Sequence, residues 1–192
     1  MNTSTPILPG SVIGVVGGGQ LGRMFVQAAH RMGYRVHIFT PESFSPAGQV
    51  ADWTVHGDYN DREAMQRFAR EVDVMTFEFE NIPAESIEAI SSLTRVRPGS
   101  NILRVAQNRN TEKSTLHIAG FPVAPFEAVR TPSDLERAVD KIGAPAVLKA
   151  ATNGYDGKGQ VALHAPEQAM EAWSRIGACE QTLERMINFD LE

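Results

Sequence analysis

A glycine-rich loop between an apolar run and an amphipathic segment constrains the fold more than any other feature. The run Val12 to Val16 is followed by Gly17-Gly18-Gly19-Gln20-Leu21-Gly22, which matches G-x-G-x-x-G. Glycines allow a tight strand-to-helix turn, and they let backbone N–H groups approach an anion at the positive end of a helix. The loop therefore predicts one of three things: a bare structural turn, a dinucleotide site, or a site for a small substrate that carries a phosphate.

The first hundred residues alternate predicted strands with predicted helices. Apolar residues at helical spacing predict the buried face of the first helix, namely Leu21, Met24, Phe25, Ala28, Ala29 and Met32. Strands are predicted at 11–16, 34–40, 53–55 and 73–77, and helices at 61–71 and 84–93. Because this alternation implies right-handed crossovers, we predict an open, doubly wound α/β domain with a parallel sheet over residues 1–105.

The sequence pattern changes after Pro98, and residues 106–192 are predicted to form an α+β unit. One or two helices are expected over 101–119, and a further helix has capping-box spacing at Ser133 and Glu136. Two strands, 146–151 and 160–164, are predicted to form a hairpin. A helix at 166–176 and a strand at 180–184 follow, and Cys179 is expected to be a small buried core residue.

Composition excludes several classes of protein. The formal net charge is −5, with 18 basic and 23 acidic residues, so there is no clustered basic excess for nucleic acid. The single cysteine excludes a disulfide scaffold and fits a reducing compartment. No long apolar run indicates a signal peptide or a membrane span, so we expect a cytoplasmic protein. The five histidines lack metal-ligand spacing.

A second glycine loop is the other feature that carries chemistry. Gly154-Tyr155-Asp156-Gly157-Lys158-Gly159 follows a predicted strand that ends near Lys149. A glycine loop with two lysines nearby can close over a polyphosphate, although a long hairpin turn with solvated lysines explains the same residues. Glu78 and Glu80 follow another buried strand, at the edge of the sheet where open α/β domains bind ligands.

Three segments together resemble one family. These are GGGQLGRM at 17–24, TFEFENIP at 76–83 and GYDGKGQ at 154–160. They resemble 5-(carboxyamino)imidazole ribonucleotide synthase, the ATP-grasp ligase of purine biosynthesis that serves as the ATPase subunit of phosphoribosylaminoimidazole carboxylase. The resemblance implies a Rossmann-like pre-ATP-grasp domain followed by the first part of an α+β ATP-grasp domain. It also implies ATP and Mg²⁺ as cofactors, and bicarbonate and 5-aminoimidazole ribonucleotide as substrates.

The resemblance also implies roles for particular residues. The implied ATP contacts are Arg109, Lys149, Gly154, Tyr155, Asp156, Gly157, Lys158, Gly159, Gln160, Glu184, Arg185, Met186, Ile187 and Glu192. The stretch Glu184 to Ile187 would be the adenine hinge, and Glu192 would hold the ribose of ATP. The implied contacts of the aminoimidazole substrate are Gln20, Leu21, Glu78, Tyr155, Asp156 and Lys158. Gln20 and Leu21 would cradle the phosphate of this substrate, and Glu78 would contact one of its hydroxyl groups. Asp156 and Lys158 would be the catalytic residues, with Asp156 handling the amine.

One departure from the family pattern concerns metal binding. The family continues well past the position of Glu192, and its magnesium carboxylates lie in that later part. We therefore expect this chain to be a fragment that does not turn over ATP alone, and the whole protein to be a homodimer that binds neither nucleic acid nor membrane. Other interpretations are an NAD(P)-dependent oxidoreductase that uses Glu42 as its acidic residue, a non-catalytic nucleotide-binding module, and a formate-dependent ribonucleotide transformylase.

Overall fold

Apolar and β-branched segments form a parallel sheet in the first unit of the chain, Met1–Leu103. The computed structural model describes residues 5–152 and 159–189. Within them, the strands of this unit lie in the order β3-β2-β1-β4-β5, and all neighbours are parallel. The elements are β1 (Val12–Val16), α1 (Gln20–Arg31), β2 (Arg35–Thr40), β3 (Trp53–His56), α2 (Arg62–Ala69), β4 (Val74–Phe77), α3 (Ala84–Ile90) and β5 (Arg95–Val96). The predicted parallel α/β architecture is confirmed.

The second unit, Arg104–Glu192, is built on an antiparallel sheet of order β6-β9-β7-β8. Helix α4 (Ser100–Ala106) leads into it. The remaining elements are α5 (Arg109–Ile118), β6 (Phe126–Val129), α6 (Pro132–Ile142), β7 (Ala146–Ala150), β8 (Gln160–Leu163), a 3₁₀ turn (Pro166–Gln168), α7 (Ala169–Ile176) and β9 (Gln181–Arg185). Strands β7 and β8 form the predicted antiparallel hairpin, with Lys149 opposite Gln160.

Strand order decides where ligands are expected in each unit. In the first sheet β1 lies between β2 and β4, so the strand order reverses at the carboxyl end of β1, where open α/β sheets form their binding crevice. The glycine loop begins there. In the second sheet β9 lies between β6 and β7, and its Glu184 is opposite both Phe126 and Val147.

Helix α1 buries a face that overlaps the predicted one only at Ala29. The other predicted residues are exposed, namely Leu21, Met24, Phe25, Ala28 and Met32, and the remaining buried residues are Gly22 and Val26. Small side chains face inward because the helix lies close to its neighbours: a Cβ on Gly22 would be 3.1 Å from the Cβ of Ala47. The hydrophobic pattern was therefore an unreliable guide here, since backbone proximity excluded the bulky residues from the buried face.

Other local predictions had mixed outcomes. The predicted stripe of α6 is confirmed, since Leu135, Ala138, Val139 and Ile142 are buried. The prediction that Cys179 is buried is wrong, because it is exposed in the turn before β9. Strands β5 and β6 were not predicted. Among the described residues, no helix is long and apolar enough to cross a membrane.

The predicted cap of α6 is wrong by two positions. Thr131, not Ser133, is the N-cap: its hydroxyl accepts the N–H of Asp134, and the Asp134 carboxylate accepts the N–H of Thr131 in return. Pro132 occupies the first helical position, where its fixed φ suits the helix and its missing N–H is not needed.

Replacement of Thr131 with alanine is expected to lower the free energy of unfolding by about 1 kcal/mol, because the Asp134 N–H in the first turn of α6 loses the hydroxyl that accepts it. Urea unfolding followed by circular dichroism measures this change. Ser133→Ala is the matched control, since Ser133 lies on the exposed first turn and makes no cap bond. A larger loss for Ser133→Ala than for Thr131→Ala would contradict the assignment of the cap.

Candidate functional site

The first candidate site is the glycine loop that joins β1 to α1. Its backbone is fixed on both sides, since the Gly17 N–H donates to the Phe39 carbonyl and the Gly18 carbonyl accepts the Ala47 N–H, both at 2.9 Å. Gly17 has a φ of +113°, a conformation that L side chains rarely adopt. The loop therefore needs glycine for its turn and for the close approach of its neighbours.

Glu78 closes this loop from the side of β4. Its Oε1 accepts the N–H of Gly19, the N-cap residue of α1, at 2.7 Å. Its own N–H donates to the Val16 carbonyl at 3.0 Å, which fixes its backbone beside the end of β1. A negative charge at a helix N-terminus is favourable because it opposes the helix dipole. The carboxylate of Glu78 thus occupies the position at which an anion was expected.

This arrangement changes what the loop can bind. A phosphate on the Gly19 N–H would have to displace the Glu78 carboxylate and would be repelled by it. A ligand hydroxyl, in contrast, can donate to a carboxylate oxygen without displacing it. Gln20 and Leu21, the first residues of α1, are exposed beside this carboxylate. The loop as folded therefore suits a hydroxyl-bearing ligand better than a pyrophosphate.

A cleft of about 220 Å³ lies beside the loop at the carboxyl ends of β2 and β3. Its lining includes hydroxyl and amide groups and no acidic side chain, and consists of Ser43, Phe44, Ser45, Gly48, Gln49, Thr54 and His56. Glu42, the acid that a dinucleotide site would place near a ribose, is exposed and is not part of the described lining. The cleft therefore lacks the acidic group that the oxidoreductase interpretation requires.

The second candidate site, in the second unit, is a cluster of charges around Glu184. Among the described residues, three cations approach this carboxylate, whose side chain is 7% exposed. Arg109 Nε lies 2.6 Å from Oε1, while the Nζ atoms of Lys149 and Lys113 lie 3.0 and 3.4 Å from Oε2. Glu112 also contacts Arg109, so two carboxylates face three cations, and the cluster keeps one excess positive charge that an anion would relieve.

Helix capping positions the cations of α5. The Asn108 side chain accepts the N–H groups of Asn110 and Thr111 and fixes the start of the helix. The Arg109 N–H donates to the Ala151 carbonyl at 2.8 Å, which ties that start to the end of β7. Because Arg109 and Lys113 are four residues apart, both lie on the helix face that approaches Glu184.

The electrostatic balance at Glu184 favours its charged form. Burial raises the pKa of this carboxyl, but the hydrogen bonds and the positive charges of Arg109 and Lys149 together outweigh burial and hold the pKa below its ordinary value of 4.5. Glu112 contacts the other side of Arg109 at 3.8 Å, where both side chains are more than a third exposed. Glu184 is therefore an ion at neutral pH, and it organises the cations around it.

The first two backbone N–H groups after Glu184 form hydrogen bonds within the fold. The Arg185 N–H donates to the Pro125 carbonyl at 2.9 Å and the Met186 N–H to the Pro145 carbonyl at 3.1 Å. The Arg185 guanidinium donates to the Ile142 carbonyl at the end of α6. Ile187 follows and is about half exposed. A base in this hinge would thus meet carbonyl groups and the Ile187 N–H, since the N–H groups of Arg185 and Met186 are already bonded.

Several predicted site residues lie outside the described residues. These are Gly154, Tyr155, Asp156, Gly157, Lys158 and Glu192. Of the second glycine loop, Gly159 is described, with a φ of +71°, and its carbonyl accepts the Ala150 N–H at 2.7 Å. Gln160 begins β8. The structure thus describes the two strands that flank the loop, β7 and β8, and Lys149 lies near the end of β7.

Sequence reasoning assigned no role to Lys113. Its ammonium contacts Glu184 and lies 5.6 Å from the centroid of the Phe126 ring, over the ring face. Its position four residues after Arg109 on one helix was a signal that could have identified it. Among the residues that the structure describes, no cluster of three or more histidine, cysteine or acidic side chains is arranged to hold a metal ion.

Comparison with known proteins identifies the class of this fold. The model of the ribonucleotide synthetase preATP-grasp domain matches residues 11–107, and the ATP-grasp domain model matches residues 114–192. Since the first match covers half of the chain, the chain belongs to the ribonucleotide synthetase preATP-grasp family. The resemblance inferred from the three motifs is confirmed by the relatives within this class.

Those relatives are N5-carboxyaminoimidazole ribonucleotide synthases. The Bacillus subtilis synthase is 42% identical over 188 residues, covering 97% of this chain and 49% of that protein. The ADP complex of a synthetase of this name superimposes with a TM-score of 0.90 at 42% identity, covering 96% of this chain and 49% of the other. An Aspergillus clavatus synthase in complex with ADP and 5-aminoimidazole ribonucleotide gives 0.82 at 29% identity, with coverages of 94% and 47%. The chain thus spans about half the length of these proteins.

Proposed function

We propose that this chain forms part of an ATP-dependent carbon–nitrogen ligase that carboxylates 5-aminoimidazole ribonucleotide with bicarbonate in purine biosynthesis. The products are N5-carboxyaminoimidazole ribonucleotide, ADP and phosphate. The observation that carries the proposal is the cluster of Arg109, Lys113 and Lys149 around Glu184, because its excess positive charge suits a polyphosphate. The names and bound ligands of the relatives support the same reaction.

The second unit supplies the ATP contacts in this proposal. Arg109 and Lys149 bind phosphate oxygens, and residues 154–160 cover the triphosphate. The hinge Glu184 to Ile187 holds the adenine, and Glu192 holds the ribose hydroxyls. Mg²⁺ would neutralise charge on the phosphates when bound, and its carboxylate ligands are expected outside the described residues.

The first unit supplies contacts for the aminoimidazole ribonucleotide. Gln20 and Leu21 lie at the start of α1, and the Glu78 carboxylate beside them accepts hydroxyl groups of the substrate. Tyr155, Asp156 and Lys158, which lie outside the described residues, are the further contacts of this substrate that the family resemblance implies. This assignment gives the glycine loop a role that requires no NAD.

The chemistry explains why a closing loop is needed. Transfer of the γ-phosphoryl group of ATP to a bicarbonate oxygen releases ADP and turns a poor electrophile into carboxyphosphate. The exocyclic amine then attacks the carbon of carboxyphosphate, or of carbon dioxide released from it. The C–O bond to phosphate breaks in either case, and the amine proton passes to Asp156. Because carboxyphosphate is short-lived in water, the loop must exclude solvent, and Lys158 stabilises the departing phosphate.

Steady-state assays of the complete protein test the proposed reaction. ADP release that requires both bicarbonate and 5-aminoimidazole ribonucleotide is the expected result. Dependence on formate and glycinamide ribonucleotide would favour a transformylase instead, and binding of NADH without ATP would favour an oxidoreductase. Binding of ATP without turnover under any of these conditions would identify a non-catalytic module. The relatives do not favour these alternatives.

We expect the 192-residue chain alone to release no ADP in response to bicarbonate and the aminoimidazole substrate. The physical reason is that a phosphoryl transfer site needs metal carboxylates as well as the cations around Glu184, and the described residues hold no acidic cluster arranged for a metal ion. A coupled assay of ADP formation measures this, with the complete protein as the positive control. Substrate-dependent release by the chain alone would contradict the expectation.

The cellular setting of the protein is also part of the proposal. A single cysteine and mild acidity fit a cytoplasmic enzyme that acts on small molecules and does not bind nucleic acid or membrane. We propose a homodimer for the complete protein, which sedimentation of that protein at several concentrations tests.

A further inference from the structure

We propose that Lys113 is a positioning residue for the polyphosphate site, which keeps Glu184 neutralised when Arg109 and Lys149 turn toward phosphate. The inference rests on the proposed function, because it requires that the cluster bind a polyphosphate. Lys113 lies outside the three sequence motifs and outside the hinge Glu184 to Ile187, so neither gives it a role. The three cations around Glu184 differ in exposure and in their second contacts.

The exposure of the three cations differs in a consistent order. The side chain of Lys113 is 10% exposed, that of Lys149 is 21% exposed and that of Arg109 is 40% exposed. An anion that approaches from solvent therefore meets Arg109 and Lys149 before Lys113. Two of the cations can serve the ligand, and the third is enclosed by the fold.

The second contacts of Lys113 and Arg109 also indicate that Lys113 is held by the fold while Arg109 is near solvent. Lys113 lies over the Phe126 ring, on the strand next to β9, so its ammonium is held against the sheet. Arg109 has its second ionic contact with the partly exposed Glu112, which leaves its guanidinium close to solvent. Arg109 is in the first turn of α5, while Lys113 is one turn further along and buried. Lys113 thus remains in place while Arg109 reorients.

Glu184 needs such a partner once a ligand binds. Its carboxylate is 7% exposed, so loss of Arg109 and Lys149 to phosphate would leave a buried charge without compensation. A buried carboxylate in that state takes up a proton or retains its partners, and either outcome opposes ligand binding. With Lys113 at 3.4 Å from Oε2, the carboxylate stays ionised and the other two cations are available.

Calorimetric titration of the 192-residue chain with inorganic triphosphate tests this role. Lys113→Met is expected to weaken binding about tenfold, because it removes the charge partner of a buried ion. Lys113→Arg keeps the charge and is expected to stay within about threefold of wild type. Lys141→Met is the matched control, since Lys141 is a 70% exposed lysine that pairs with Glu127 in the same unit, and it should bind as wild type does. Circular dichroism checks that each variant is folded.

Proton uptake separates a positioning role from a merely structural one. Titrations at pH 6 in two buffers of different ionisation enthalpy give the protons taken up on binding. Lys113→Met is expected to take up more protons than wild type, because Glu184 becomes protonated when its last partners leave. The double variant Lys113→Met with Glu184→Gln is expected to recover triphosphate affinity to within about threefold of wild type, since the charge that needs compensation is gone.

The outcomes distinguish this inference from the proposed function. Failure of the wild-type chain to bind triphosphate would overturn the polyphosphate site and the inference with it. Equal binding by wild type and Lys113→Met would overturn the inference alone. Weaker binding without extra proton uptake and without recovery in the double variant would also overturn it, because Lys113 would then act by contacting phosphate or by supporting the fold.

Discussion

Replacement of Glu184 with glutamine is expected to lower the free energy of unfolding by about 3 kcal/mol, the lower end of what is typical when one partner of a buried ion pair is removed. The change leaves Arg109, Lys113 and Lys149 facing one another without the carboxylate that holds them together. Arg109 is partly exposed and water recovers some of its solvation, which places the effect at the lower end. Urea unfolding at pH 7 and constant salt measures the loss.

Glu112→Gln is the matched control for this variant. Glu112 also pairs with Arg109, but at 3.8 Å and with a side chain that is 38% exposed. Exposed pairs of this kind contribute about 0–1 kcal/mol, so the control is expected to change stability by less than about 1 kcal/mol. Similar losses in the two variants would contradict the assignment of Glu184 as the centre of the cluster.

The effect of Glu184 also has a defined pH dependence. Its pKa in the folded chain lies below the ordinary value of 4.5, because the hydrogen bonds and the positive charges of Arg109 and Lys149 together outweigh burial. Its contribution to stability is therefore complete above about pH 4.5 and is lost as the pH falls through the lowered pKa. The stability difference between wild type and Glu184→Gln is expected to be constant from pH 8 to pH 5 and to shrink below that range. A difference that is unchanged at pH 3 would contradict this.

The sequence predicted the architecture where local signals agreed with one another. The run Val12 to Val16, the glycines after it and the alternation of strands and helices were sufficient to predict the parallel sheet. The hairpin of β7 and β8 was predictable for the same reason, since two apolar runs flank one glycine loop. The strand Phe126–Val129 was not predicted, because the prolines around it indicated a connector and its strand character depends on pairing with β9.

Both candidate sites are built from contacts between residues far apart in sequence, which motif spacing does not predict. Glu78 and the loop at Gly19 were both identified as candidates, but the hydrogen bond that joins them spans 59 residues. Glu184 was expected to be part of the adenine hinge. Its contacts with Arg109 and Lys149 span 75 and 35 residues and were not predicted. Such contacts arise from the order of strands in a sheet, which a single sequence does not specify.

Replacement of Gly17 with alanine is the second change with a large expected effect, a loss of about 3 kcal/mol in the free energy of unfolding. Part of the loss comes from the φ of +113°, which disfavours any residue with a Cβ. The rest comes from Glu78: the new Cβ would lie 2.6 Å from its Oε1 and 2.8 Å from its Cγ. The carboxylate can move away only by giving up its hydrogen bond to the Gly19 N–H.

Three further variants separate these contributions. Gly10→Ala has a comparable φ of +94° but no heavy atom within 4 Å of the new Cβ, so it measures the backbone cost alone, about 1 kcal/mol. Glu78→Ala removes the steric conflict, and Gly17→Ala combined with it is expected to be less destabilised than the two separate losses added together. Urea unfolding of wild type, Gly17→Ala, Glu78→Ala and the double variant gives this coupling energy. If Gly17→Ala lost no more stability than Gly10→Ala, or if the Gly17 and Glu78 effects were additive, the carboxylate would not occupy the loop, and the loop would be open to a phosphate after all.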